Sequence, residues 1–162
     1  MAEITAKSLY ETDYYAWTRE QAAALRELAE GRANVPLDLA NLAEEVEDLG
    51  KNQRDAVRSQ VRRIIDHFLK LEFSRAADPR NGWKSSIIDA RDEIADRLSP
   101  SLRRDTEGTL PTLFRRARRK AAFDLQAHGE ADAAEALPES CPYPLDDILR
   151  DDWYPPNRHG LD

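Results

Sequence analysis

Leu39, Leu42, Val46, Leu49, Val57, Val61, Ile64, Phe68 and Leu71 recur at three- and four-residue steps, with Gln53 in register and charged residues between them. That is the period of one helix face. The stretch Leu37 to Phe73 holds one glycine, Gly50, and no proline. It predicts either one long helix kinked at Gly50 or two helices, from about Asp38 to Leu49 and from Lys51 to Ser74, since an interior glycine costs about 1 kcal/mol against alanine.

The same period places other elements. Thr12 and Asp13 are N-cap candidates for a helix running to about Glu30, with Tyr14, Trp17, Gln21, Ala24, Leu25 and Leu28 on one face and Gly31 as its stop. Asp78 to Gly82 reads as a turn, and Trp83 to Leu98 as a helix with Ile87, Ile88, Ala90, Ile94 and Leu98 as its apolar set. Ser99 and Pro100 pair a cap with a first-position proline. The helix they start carries Leu102, is expected to kink or break at Pro111, and resumes through Leu113, Phe114, Ala117, Ala121 and Leu125 until Gly129. From Ala131 onward lie five of the nine prolines, with one short helix expected within 144–149. Trp153 and Tyr154 are expected to dock there as a clasp.

No alternating strand pattern and no glycine-rich phosphate loop interrupts this series. The fold predicted is all-α, a single-domain bundle of about five helices with the proline-rich C-terminal tail docked on it. Residues 1–11 read as a leader, 12–156 as the helical domain, and 157–162 as a disordered tail.

Composition narrows the class. A length of 162 residues suits one domain, and a charged share of 34% over helical periodicity suggests solvated helices. A net charge of −7 argues against wholesale coating of nucleic acid or anionic membrane, but leaves a local basic patch able to bind either. Cys141 is the only cysteine, so no intramolecular disulfide forms. With no His or Lys near it in sequence, it reads as inert. The N-terminal MAEITAKSLYETD lacks the basic start and apolar run of a signal peptide, and no stretch reaches membrane-span length, so the expected location is the cytoplasm. His67, His128 and His159 with one cysteine match no zinc spacing, and no cofactor is expected.

Several segments occur in a distinctive order over roughly residues 8–155: Tyr10-Glu11-Thr12-Asp13-Tyr14-Tyr15-Ala16-Trp17, the run from Leu37 through Gly50, and His67-Phe68-Leu69-Lys70-Leu71. Trp83 with Ser86-Ile87, Ser99-Pro100-Ser101-Leu102, Cys141-Pro142-Tyr143, and Ile148-Leu149 with Asp152-Trp153 follow. Together they resemble a bacterial family catalogued as domain of unknown function 29. The resemblance implies a small, cytoplasmic, all-helical bacterial protein, and it implies no reaction.

Three groups of residues carry candidate chemistry. Asp38 to Asp48 holds five carboxylates and no base. Glu44, Glu45 and Asp48, taken with Glu93 and Asp96 on a later helix, are similar to the acidic pairs by which all-α nucleoside triphosphate pyrophosphohydrolases bind magnesium. The helical wheel sets Glu44 and Asp48 opposite the apolar stripe, so a salt-bridged surface ladder, including Glu47 with Lys51, is the simpler account. His67 falls on or beside the stripe and reads either as a core histidine or as a base or switch that charges near neutral pH. No serine or cysteine partner for it is visible in the sequence.

Arg54, Arg58 and Arg62 form a stripe four residues apart, and Arg116 and Lys120 stand in the basic run of a later helix. Planar guanidinium groups on a rigid helix suit phosphate. Interhelical ion pairing, or cover from the acidic tail, would quench that face. The reading that leads is a non-enzymatic protein-interaction or regulatory module, with a protein partner or self-association expected. A nucleic-acid-associated regulator and a metal-dependent phosphohydrolase stand behind it.

Overall fold

The computed structural model describes residues 6–32 and 34–161. Among them every regular element is an α-helix: α1 (Ala6–Thr12), α2 (Tyr14–Glu30), α3 (Leu39–Phe73), α4 (Arg80–Ala95), α5 (Pro100–Ala127), α6 (Ala131–Glu135) and α7 (Leu145–Leu149). Seven described helices, four of them long, stand where about five were expected. The additions are α1, inside the segment read as a leader, and the five-residue α6. Residues 1–5 of that leader lie outside the described residues.

The chain divides into two compact units, Met1–Ala56 with Arg97–Asp105, and Val57–Asp96 with Thr106–Asp162. Both α3 and α5 contribute a part to each unit.

In the first unit Asp13 organises two helix starts. Its carboxylate accepts the Ala16 N–H at 3.1 Å, capping α2, and accepts the N–H and hydroxyl of Ser101 at 2.8 and 2.5 Å. Burial alone would raise this carboxyl, but the hydrogen bonds, led by the Ser101 hydroxyl, hold it below the ordinary range. The segment of α3 in this unit runs unbroken through Gly50 and buries Leu39, Ala43 and Gly50. Leu42 and Leu49, assigned from sequence to the inner stripe, are instead 40% and 48% exposed. The reason is close helix approach. A β-carbon at position 50 would lie 2.1 Å from Thr18 Oγ1, so Gly50 faces α2 and the leucines turn outward.

The second unit holds the larger core. Val57, Val61, Ile64, Ile65, Phe68, Leu69 and Leu71 of α3 are fully buried, as are Ile87 and Ala90 of α4 and Ala117 and Ala121 of α5. Pro111, expected to kink or break α5, lies inside one unbroken helical run. It forfeits one backbone hydrogen bond, while burial of Leu113 and Phe114 directly after it offsets that loss. Gly129, at φ 79°, ends α5 as predicted: its N–H donates to Gln126 O at 3.1 Å and that of Glu130 to Leu125 O at 2.8 Å.

Trp153 docks as the clasp predicts, its ring edge-on to Phe68 at 5.4 Å, and the Arg91 guanidinium lies over the Tyr154 ring at 5.4 Å. Tyr143, which was not part of that expectation, meets the same Phe68 ring edge-on at 5.2 Å and donates to Glu72 Oε2 at 2.6 Å. The buried Arg91 guanidinium donates to the carbonyls of Ile148, Asp147 and Trp153 at 3.0, 3.3 and 2.8 Å. Beyond Pro156, where the sequence predicts disorder, Asn157 donates to Leu71 O and Ser74 O at 2.7 and 2.9 Å. Carbonyls at the end of α3 have no intrahelical partner, and the chain end supplies one. No helix among the described residues is long and apolar enough to cross a membrane.

Candidate functional site

The flank of α3 beside its buried stripe carries Ser59, Arg62, Arg63, Asp66, His67 and Lys70, and the matching flank of α5 carries Arg116, Arg119, Lys120 and Phe123. Both apolar stripes are committed to the core, so these side chains turn together into one cleft of about 660 Å³ in the second unit, floored in part by Ala117.

Six cations line it. Two are compensated. Lys70 Nζ sits 3.0 Å from Asp66 Oδ2 and 2.5 Å from Asp124 Oδ2, and Lys120 Nζ lies 2.6 Å from the same Asp124 oxygen. Arg62, Arg63, Arg116 and Arg119 have no carboxylate within 4.0 Å among the described residues, so the pairing that would have quenched this face is absent for them. Four uncompensated guanidinium groups around one concavity focus a positive field that draws anions in.

His67 forms part of the cleft wall. Its Nε2 meets Ser86 Oγ at 3.1 Å, while its Nδ1 has no hydrogen-bond partner. Burial first, then the charges of Lys70, Arg63 and Lys120, lowers its pKa to about 4. The ring is neutral at neutral pH, which corrects the reading of His67 as a switch charging near neutrality. Asp66 is pushed the other way, its carboxyl raised by desolvation against the opposing pull of Lys70. Its Oδ1 is buried without a hydrogen bond.

Of the arginine stripe and its partners, Arg62, Arg116 and Lys120 meet in the cleft. Arg54 belongs to the first unit, paired with Asp55 at 2.9 Å, and Arg58 is half-buried outside the lining. Arg63 and Arg119, basic residues of the same two helices, join Arg62, Arg116 and Lys120; sequence reasoning did not assign Lys70 or Phe123 to the site, nor Ser86 to His67. Phe123 had a signal: it falls off the Phe114, Ala117, Ala121, Leu125 stripe while following Arg116, Arg119 and Lys120 at helical spacing. Ser86, nineteen residues from His67, had none.

The acidic candidates are divided between the two units. Glu44, Glu45 and Asp48 are exposed on the first unit's part of α3, where Asp48 lies 3.5 Å from Lys51. Glu47 pairs with Lys51 at 3.4 Å, as the ladder predicts, and with Arg26 at 2.8 Å. Glu93, in the second unit, accepts from Gln60 Nε2 at 2.5 Å, and Asp96 is the C-cap of α4. Among the described residues no three His, Cys, Asp or Glu are grouped so as to hold a metal ion. Cys141 is half-buried, its thiol raised by burial and donating to Tyr143 O at 3.4 Å.

A family model described as Domain of unknown function DUF29 matches residues 9–154. The chain is similar to an alpha-helical protein of unknown function from Rhodospirillum rubrum, known from its crystal structure. Sequence identity is 28% and the TM-score 0.76, over 89% of this chain and 90% of that one. No curated protein matches the chain.

Proposed function

This chain belongs to the DUF29 family, and we propose that it is a non-enzymatic regulatory module that binds a polyanionic partner in the basic cleft of its second unit. One observation carries the reading: Arg62, Arg63, Arg116 and Arg119 converge there with no carboxylate to neutralise them. Like charges held together on rigid helices cost free energy in the unbound protein, and an anionic partner repays it. The net charge of −7 makes this concentration of positive charge a local device and not an effect of bulk composition. Proton-transfer chemistry has little support at the site, because His67 is a weak base whose Nε2 already meets Ser86.

The test is calorimetric titration with inorganic polyphosphate of the native chain and of an Arg62→Glu/Arg116→Glu variant. The expected result is binding by the native chain and a loss of at least about tenfold in the variant, about 1.4 kcal/mol. Equal affinities would refute the reading. A second reading is supported by the exposure of Glu44 and Glu45 in the first unit: a second copy of the chain would supply the anion. It predicts salt-sensitive self-association in sedimentation, abolished by the same reversals.

A further inference from the structure

Among the described residues, the large hydrophobic side chain with the greatest fractional exposure stands at the edge of this cleft. Phe123 is 68% exposed, more than any other large hydrophobic side chain described, although α5 has a complete apolar stripe elsewhere on its surface. A phenyl ring left in water forgoes the burial that a core position would give it, so its place demands a use. Its neighbours indicate one. On one side it lines the cleft with Arg116, Arg119 and Lys120. On the other it lines a more open depression of about 610 Å³ with Arg115, Arg119 and Glu139, and with Arg118, whose guanidinium donates to the Pro138 and Leu137 carbonyls. The ring lines both hollows, and Arg119 stands in each.

We propose that the polyanion is a single-stranded nucleic acid whose backbone follows the arginines of the cleft while a base stacks on Phe123. The inference rests on the reading of the cleft as a polyanion site. Cationic side chains tracking a phosphate backbone, with an aromatic ring between them offering a face to a base, is the arrangement that sequence-tolerant single-strand binders use. Arg116, Arg119, Lys120 and Phe123 succeed one another along eight residues of α5, about 10 Å of helix at 1.5 Å per residue. That is long enough to follow a few nucleotides of a single strand. A duplex presents bases already stacked on one another and has no face to give the ring. An acidic polypeptide would satisfy the arginines but gain little from Phe123, and a flat lipid surface would leave the interior of the cleft unfilled.

The experiment measures fluorescence anisotropy at low salt with a labelled oligothymidine, an abasic strand of the same length, polyglutamate, and vesicles of phosphatidylserine. The native chain, Phe123→Ala and Arg116→Glu are compared, and because both side chains are exposed neither change disturbs the core. The inference predicts that the native chain binds oligothymidine about tenfold more tightly than the abasic strand, and that Phe123→Ala erases this difference while abasic binding stays constant. Arg116→Glu weakens binding of both strands. Equal affinity for the two strands, or indifference to Phe123→Ala, overturns the base-stacking inference; if Arg116→Glu still weakens both, the polyanion reading survives it. Tighter binding of polyglutamate or vesicles than of oligothymidine overturns the inference in favour of a protein or membrane surface. Failure of every anion to bind removes both.

Discussion

Thr18 packs directly onto the bare backbone of Gly50, so close that a β-carbon at position 50 would lie 2.1 Å from its Oγ1 and 3.1 Å from its Cβ. This contact explains why a glycine sits in the interior of a 35-residue helix that it neither breaks nor caps. Helix propensity alone would favour alanine there by about 1 kcal/mol. The overlap reverses that sign. Gly50→Ala is predicted to destabilise the protein by about 1–3 kcal/mol, the usual cost of overpacking, and Thr18→Ala in the same chain to restore part of it. Urea unfolding of the two variants checks this. A more stable Gly50→Ala protein would show that α2 does not approach as described.

His67 sets a pH dependence whose sign follows from its environment. Its pKa is lowered to about 4 in the folded chain from an ordinary value of 6.5. Below about pH 6.5 the unfolded chain takes up a proton that the folded chain refuses until about pH 4. The contribution is therefore fully present above pH 6.5 and lost as pH falls through that window, to about 3 kcal/mol in total. Asp66 beside it has a raised carboxyl and contributes with the opposite sign, so the comparison must isolate the histidine. Thermal unfolding of His67→Gln against the native chain from pH 7 to pH 4 does so. The native protein is expected to lose stability faster on acidification, and parallel curves would contradict the neutral, half-buried ring.

Lys70 is the charge that lets two carboxylates lie beside the cleft. Its side chain is 8% exposed and bridges Asp66 and Asp124, themselves 11% and 21% exposed. Lys70→Met keeps the hydrocarbon stem and removes the ammonium. Two carboxylates then share a poorly hydrated site, with only Lys120 left near Asp124. The expected cost is about 3–5 kcal/mol, read by denaturant unfolding. A second change, Asp66→Leu, should recover much of it.

How much of this was legible in the sequence depended on the range of the interaction. Local chemistry was readable: Asp13 as a cap, Ser99-Pro100 as a helix start, and Gly129 as a stop are each decided by backbone groups within a few residues. The apolar period correctly placed Val57, Val61, Ile64, Phe68 and Leu71 in the core. It failed at Leu42 and Leu49 because size does not announce which face a neighbouring helix approaches, and at this contact proximity won over bulk. Pro111 misled for a related reason, since the burial of Leu113 and Phe114 holds a helix that local rules would interrupt. Arg62, Arg116 and Lys120 were identifiable as a basic face. The lack of compensation at the two arginines was not, because whether a carboxylate on another element reaches an arginine is a tertiary fact, and Lys120 in fact pairs with Asp124. Phe123 was the readable clue left unused, an aromatic residue off its helix's apolar stripe and in line with three cations.

One measurement tests the uncompensated arginines of the cleft most directly: the affinity for single-stranded oligothymidine as a function of salt. Each phosphate neutralised on a single strand contributes a slope of about −0.7 to log K against log salt, so engagement of the four arginines predicts a slope of about −3. In the Arg62→Glu/Arg116→Glu variant residual binding should be weak and its slope shallow. An affinity that does not change with salt, or one that keeps its slope when both arginines are reversed, would contradict the assignment of this cleft as the anion site.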